Sequence, residues 1–458
     1  MHRDLSHLAL ILIAMLLSSL SGCADNAKPA PARNVIMISI DTLRADRLGT
    51  YGNSAPTSPS LDAAAAQGVV FDKAITAAPW TLPSHASMVT GRYPSGHGLR
   101  TLELRMNQGI PTLGTVLRDR GFDTGAFVNV LFLGGGSGFP RGFDDFLITP
   151  SKPSRAGAAK EVVSHIKTWL SEPREKPVFL FAHFFDPHSG YQSLPQYEAM
   201  FVGDEPNRFD GSTRQIIHAS TGKIPPVEAH EADHLRLLYD AGIRQLDDEL
   251  GIFFAWLQNG GWLKDTLVVV TSDHGEEFLD HARLLHGETH YDEVMQVPLI
   301  MFGAGVPRGV RIATPVSIVD IVPTVLGVLN EEPIEGIDGH DLRALWDAPQ
   351  SEQARFFEQR AILSETGPEM EDNLRSVRKG RHKLIVNVAS DEQELFDLMD
   401  DPGETRNIAP DHPELVAVLV KELESLTGRG LGTERAPPMS QELRDRLQAL
   451  GYAVPDEG

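Results

Sequence analysis

"NVIMISID", residues 34–41, is an almost unbroken apolar run that stops on a carboxylate. A run without polar alternation is what a strand buried on both faces of a parallel sheet looks like. Working outward, "VVFDKAITA" (69–77), "DTGAFVNV" (123–130), "PVFLFAHFF" (177–185), "TLVVVTSD" (266–273) and "VPLIMFG" (297–303) read as further strands. Between them lie helical stretches with recognisable starts and stops: "SLDAAAAQG" (60–68), Ser84 to Thr90 closed by Gly91, "TLGTVLRDRG" (112–121) and "AAKEVVSHIKTWLSE" (158–172). The longest runs from Ala232 to Gly261, with Leu and Ile at helical spacing. This alternation predicts an α/β fold, a mostly parallel central sheet with helices on both faces. After about residue 335 the pattern changes. "HKLIVNV" (382–388) and "QELFDL" (393–398) read as strands of a small sheet, followed by a helix from Pro413 to Leu426. The expected division is a main domain over 34–335, a small α+β subdomain over 336–427 and a tail over 428–458. The polar stretch from Asn207 to Ala232 is expected to be an irregular loop or lid. A chain of 458 residues is long enough for such a two-part body.

The first residues differ from the rest. "MHRDLSHLALILIAMLLSSLSGC" (1–23) has His2 and Arg3 at its head, an apolar run from Leu8 to Leu17, and small residues before Cys23. This is a secretory signal layout, too short and wrongly flanked for a stable membrane span. Its end, "LSGC" (20–23), resembles a bacterial lipobox. Cys23 is the only cysteine, so no disulfide can form within the chain, and lipidation gives the lone thiol a purpose. The expectation is a signal peptide over 1–22 and a lipidated tether over 23–33. They would anchor the protein by lipid in a bacterial cell envelope, facing the periplasm or on the outer membrane. A net charge of −22 argues against a nucleic-acid partner. It also leaves attraction of an anionic substrate to a local metal or helix mouth.

In such sheets function gathers at the carboxyl ends of the strands. Asp41 and the Asp273–His274 pair both fall at strand ends, far apart in sequence. Two carboxylates and an imidazole suit one divalent metal, calcium, zinc, manganese or magnesium, in a site left partly open. Alone, each aspartate would read as a helix cap. Thr81, in "WTLPSH" (80–85), stands at the mouth of the 84–90 helix, with Pro83 in a first-turn place. Free N–H groups and the helix dipole there favour a bound anion. A hydroxyl touching a divalent cation there becomes a nucleophile. On composition alone a plain helix cap is the stronger reading of Thr81.

The blocks "NVIMISIDTLRADRLGTYG" (34–52), "TLPSHASMVTGRYPSGHG" (81–98), "FFDPHSGY" (184–191), "YDAGIRQLDDELG" (239–251) and "VVVTSDHGEEF" (268–278) come in a telling order. "HGETHYDEVMQVPLI" (286–300), "VSIVDIVPTVL" (316–326) and "QELFDLMDDPGETRNIA" (393–409) follow. With these, the chain resembles the sulfatase family of the alkaline phosphatase superfamily over nearly all of residues 34–427. The resemblance implies that Asp41, Asp273, His274 and Thr81 hold the metal, with Thr81 the nucleophile. It implies that His188 contacts the substrate anion or leaving group, and that His85 and His286 line the site. His183 and His290 are expected to be core histidines.

Departures from the family pattern bear on the reaction. Sulfatases have Cys or Ser before the x-Pro-Ser-Arg block, oxidised to formylglycine; this chain has Thr-x-Pro-Ser-His. Threonine is a secondary alcohol and cannot yield that aldehyde. Thr42 stands where a second carboxylate is usual, and Gly287 lies near a missing lysine. Asn129 takes the place of another lysine and is carried as a substrate-binding residue. A set of Asp, Thr, Asp and His resembles the phosphoryl-transferring branches of the superfamily.

The expected activity is hydrolysis of anionic sulfate or phosphate esters on a small molecule, glycan or lipid, with phosphate mono- or diesters favoured. Two rival readings stand beside it. One is an inactive metal-binding lipoprotein that recognises an anionic glycan or lipid. The other is a phosphoryl transferase acting on envelope glycans or lipids.

Overall fold

The computed structural model describes residues 31–149, 157–203, 207–367, 373–427 and 434–435. The signal peptide, Cys23, most of the tether and nearly all of the 428–458 tail lie outside the described residues.

Nine strands form the central sheet: β1 (Asn34–Ile40), β2 (Gly68–Ile75), β3 (Asp123–Val128), β4 (Asp145–Ile148), β5 (Val178–Phe184), β6 (Thr266–Ser272), β7 (Gln296–Gly303), β8 (Val310–Ile312) and β9 (Val316–Ser317). Their order is β8-β2-β7-β6-β1-β5-β3-β4, with β9 beside β2. The pairings are parallel except those of β7, which runs against both β6 and β2. The segment before β7 crosses only the carboxyl edge of the sheet, and a neighbour entered from the same edge must be antiparallel.

All of β1 is buried. Val35 and Met37 enter the core on one face, and Ile36, Ile38 and Ile40 enter the core on the other. Period-2 alternation between two apolar layers explains why the sequence run has no polar gaps. Each such side chain contributes about 1.5–3 kcal/mol of burial. One face is covered by the helices Thr81–Thr90, Leu113–Asp119 and Ile321–Val328. Helices Ala159–Ser171 and Ala229–Asn259 cover the other.

The small sheet is an antiparallel meander of β10 (Ala361–Glu365), β11 (Leu374–Lys379), β12 (His382–Asn387) and β13 (Gln393–Asp397). Val416, Leu419 and Leu423 of the helix Pro413–Thr427 pack against it, in a core continuous with one face of the main sheet.

Two local expectations change. The stretch expected to be irregular holds a helix, Thr213–Ser220, which buries Ile216 and Ala219 under polar neighbours. The helix expected from Ser84 begins at Thr81, with Trp80 as its N-cap. Pro83 is therefore third in the helix, where its missing N–H falls among donors that have no partner within the helix. No helix among the described residues is long and apolar enough to cross a membrane.

Candidate active site

Because β1, β2, β3, β5 and β6 run the same way, the residues that follow them meet at one edge of the sheet. Asp41 follows β1 and the Asp273–His274 pair follows β6, its direct neighbour. Thr42 turns the chain with a positive φ of 55°. Its N–H donates to Asp273 Oδ1 at 3.2 Å, and its carbonyl accepts the Tyr239 hydroxyl at 2.7 Å.

The protonation pattern follows from the hydrogen bonds. His274 donates Nδ1–H to the Gly275 carbonyl at 2.9 Å, so Nε2 carries a lone pair. That lone pair faces Asp273 Oδ2 at 3.3 Å, Asp41 Oδ1 at 3.7 Å and Thr81 Oγ1 at 3.3 Å. Neither Asp41 Oδ1 nor Asp273 Oδ2 receives a hydrogen bond, although both are fully buried. Four acceptors thus converge with one hydroxyl proton among them. Without a cation such a cluster is repulsive in a low-dielectric interior. Burial accordingly pushes the Asp41 carboxyl up to about 7 and that of Asp273 up to about 6, the latter helped by Asp41. Burial also pushes the His274 imidazole down to about 4. Among the described residues, Asp41, Asp273 and His274 form the one group whose ligating atoms all lie within 4.8 Å of one another. The donor set fits a divalent cation of the zinc, manganese or calcium kind.

Thr81 is the first helical residue and is fully buried, so its side chain does not cap its own helix. The helix mouth is tied to the end of β6. Ser84 Oγ donates to the Asp273 carbonyl at 2.6 Å, as does the Thr76 hydroxyl. His85, one turn on, donates Nδ1–H to the Thr81 carbonyl at 2.8 Å, and Nε2 accepts from Ser39 Oγ at 2.9 Å. Both ring nitrogens are thus occupied by the protein, and burial holds His85 down to about 4.

His183 is fully buried, as expected of a core histidine, but it also borders the site. Its Nε2 lies 3.2 Å from Asp41 Oδ2, while Nδ1 donates to Asn129 Oδ1 at 3.0 Å. Asn129 Oδ1 also accepts the Phe185 N–H at 2.7 Å, which fixes the orientation of the amide. Its Nδ2 is buried without a hydrogen-bond partner. Strand order explains the group. β1, β5 and β3 are consecutive, so Asp41, His183 and Asn129 line up across them. His290 conforms to expectation: it is buried against Ser376 Oγ at 2.9 Å, away from this edge.

His188 stacks on Phe185 at 4.1 Å and meets Ser189 Oγ at 3.1 Å through Nδ1. The His286 ring lies 5.0 Å from that of His188 and 4.3 Å from that of His274. Its Nδ1 bonds Glu276 Oε1 at 2.8 Å. Glu276 is fully buried, and burial pushes its carboxyl up to about 8. Sequence reading missed Glu276, Ser39 and the role of His183. Glu276 sits inside a quoted block, three residues past Asp273, and that proximity was its one available signal.

A family model described as Sulfatase matches residues 33–331. A second, N-sulphoglucosamine sulphohydrolase, C-terminal, matches residues 280–429. The chain is 23% identical over 482 residues to a Delta 4,5-hexuronate-2-O-sulfatase of Bacteroides thetaiotaomicron, covering 95% of this chain and 96% of that one. It is similar in structure to a phosphonate monoester hydrolase of Agrobacterium radiobacter, with a TM-score of 0.73 at 22% identity over 89% of this chain and 100% of the other. A 2-O GAG sulfatase superposes with a TM-score of 0.71 at 20% identity, covering 93% of this chain and 96% of that one.

Proposed function

The chain belongs to the sulfatase family and is an ester hydrolase of that family, and from that premise we propose that Thr81 is its nucleophile and that phosphorus esters are favoured over sulfate esters. The observation that carries this reading is the convergence of Asp41 Oδ1, Asp273 Oδ2, His274 Nε2 and Thr81 Oγ1 with no protein donor for either carboxylate oxygen. A divalent ion held by Asp41, Asp273, His274 and Thr81 would polarise the non-bridging oxygens of the ester and acidify the Thr81 hydroxyl. Thr81 Oγ1 attacks the phosphorus or sulfur as the bond to the leaving oxygen breaks. The free N–H groups at the mouth of the Thr81–Thr90 helix face the charge that develops. Asn129 Nδ2 supplies one donor where a lysine is missing.

His188 and His286 carry the proton exchanged with leaving group and water. A formylglycine hydrate could expel its ester by re-forming the aldehyde. A threonine ester must instead be opened by water, a route suited to phosphoryl groups. The names of the relatives support an anionic ester substrate, since one is a hexuronate sulfatase and another a phosphonate monoester hydrolase.

The test is turnover of 4-nitrophenyl phosphate, 4-nitrophenyl phenylphosphonate, bis(4-nitrophenyl) phosphate and 4-nitrophenyl sulfate by the metal-loaded protein. Thr81→Ala is expected to lower turnover at least about 1,000-fold. Undiminished turnover by Thr81→Ala would refute the nucleophile, and Thr81-dependent turnover of the sulfate ester alone would move the substrate to sulfur. The proposal includes a lipid anchor on Cys23 in the bacterial envelope, supported by "LSGC" (20–23). Cys23→Ser should then move the protein from the membrane fraction to the soluble fraction.

A further inference from the structure

Resting on the lipid anchor proposed above, we propose that the amino edge of the central sheet docks on the anchoring membrane. Arg33, Lys264 and Arg308 there meet anionic lipid headgroups, and the active site faces away from the lipid. The chain joins the body at that edge. The Ala32 N–H donates to the Val328 carbonyl at 3.3 Å and the Arg33 N–H to the Asp265 carbonyl at 2.7 Å, immediately before β1. Asp41 follows the far end of the same strand, whose seven residues at about 3.3 Å each span about 23 Å. Nine peptide bonds separate Cys23 from Ala32, and they reach at most about 32 Å fully extended. To bring the active-site edge to the lipid, that length would have to pass the whole of β1 and the 277–285 hairpin beyond it. Nearly all of the reach is then used, whereas the amino edge meets the membrane without stretching it.

Charge supports the same face. Lys264 precedes β6 and Arg308 lies between β7 and β8, so both fall at the amino edge with Arg33. The three line two adjoining hollows, of about 260 and 350 Å³, that share Gly261. All three are exposed, and none has a carboxylate partner among the described residues. Arg33 donates to the Glu175 carbonyl. Arg174 and Lys176 line the first hollow too, but Asp123 and Glu172 offset their charge. Asp265 is the one carboxylate among the described residues of either lining, and its Oδ1 accepts from Asn34 Nδ2 at 3.2 Å. In a chain of net charge −22, a pole with three uncommitted cations is where an anionic surface is attracted, not repelled. The consequence is a substrate class. With the site turned outward, the ester is carried by a small molecule or glycan in the aqueous phase, and not by a lipid of the anchoring membrane.

Energy transfer from two labels to the lipid surface tests this orientation. The lipidated full chain is bound to mixed phosphatidylcholine and phosphatidylglycerol vesicles that carry a headgroup acceptor dye. Acylation occupies the thiol of Cys23, the only native cysteine, so a donor dye can be placed on one introduced thiol. Asn259→Cys reports from the amino edge and Arg283→Cys from beside the active-site edge, both at exposed positions. Transfer from position 259 is expected to exceed that from position 283 at least about threefold, given the length of sheet between them. Adding Lys264→Glu and Arg308→Glu together should cut that ratio to about half or less, at an unchanged melting temperature. Equal transfer from the two positions, greater transfer from position 283, or a ratio indifferent to the added pair would overturn the proposal. A wild-type chain that does not float with the vesicles would instead refute the lipid anchor beneath it.

Discussion

Two of the buried clusters of charge among the described residues are built on opposite principles. The first sits in the seam between the main sheet and the small one. There Lys383 Nζ meets Asp292 Oδ1 at 2.7 Å and Glu404 Oε1 at 2.8 Å, and Arg378 Nη1 meets Asp292 Oδ2 at 3.0 Å. The Asp292 backbone N–H donates to the other Glu404 oxygen at 2.6 Å. Although burial pushes the Asp292 carboxyl up, Lys383 and Arg378 outweigh it and hold the group well below the usual carboxylate range. The second cluster is at the carboxyl edge of the main sheet, where Asp41 and Asp273 face imidazoles that burial keeps neutral, and where two carboxylate oxygens find no donor. Charges matched inside the protein hold two parts together. Charges left unmatched, but aimed at a common point, are arranged for something the chain itself does not supply.

If the contrast is right, removing a charge has opposite consequences in the two places. Lys383→Met should be the more damaging to the fold. It strands Glu404 and half of Asp292, at a cost of about 3–5 kcal/mol in unfolding free energy by denaturant titration. A loss under about 1 kcal/mol would mean that the seam is not held by this cluster. Asp41→Asn should do the reverse. In metal-free protein above about pH 7 it should melt no lower than wild type, because a carboxyl whose folded pKa is raised costs stability once ionised. The same substitution should weaken binding of zinc or manganese, followed by calorimetry, by more than the roughly 10–100-fold that outer-shell partners are worth. Unchanged affinity would remove Asp41 from the metal site.

The smallest effect sharpens the boundary of the seam. His281 donates Nδ1–H to Glu293 Oε1 and stacks on Tyr291 at 3.6 Å. Partial burial lowers its pKa, but Glu293 more than offsets this and raises it to about 9. A base held up in the folded state adds stability that is fully present below about pH 6.5 and is lost as pH rises through about 9. Wild type should therefore exceed His281→Gln by about 1 kcal/mol at pH 6.5, discounted for the half-open setting, and the gap should close by pH 10. A gap independent of pH would mean that packing on Tyr291, and not charge, is what His281 contributes.

Much of the site could be read without coordinates because it is written at strand ends. An apolar run that stops on a carboxylate marks both a buried parallel strand and the edge where ligands bind, so Asp41, Asp273 and His274 were legible from "NVIMISID" and "TLVVVTSD". The start of the Thr81 helix was misjudged by three residues, since a proline third in a helix looks locally like one that begins it. The helix Thr213–Ser220 was missed because eight polar-flanked residues with two buried side chains leave too short a periodic signal.

From sequence alone came the kind of fold, the atoms that could hold a cation, and a threonine, Thr81, that cannot become an aldehyde. Each depends on residue type and local pattern. Only the tertiary structure decided which groups stand behind those atoms. His183 reaches Asp41 across 142 residues of chain and Asn129 across 54, because β5 lies between β1 and β3. The order of strands in a sheet is chosen by how whole elements pack, and no local period records it. The bond between Glu276 and His286 spans only ten residues, yet it too was invisible. It forms in an irregular segment, turned back over the sheet edge because β7 re-enters antiparallel beside β6, so side-chain directions there follow no repeating rule.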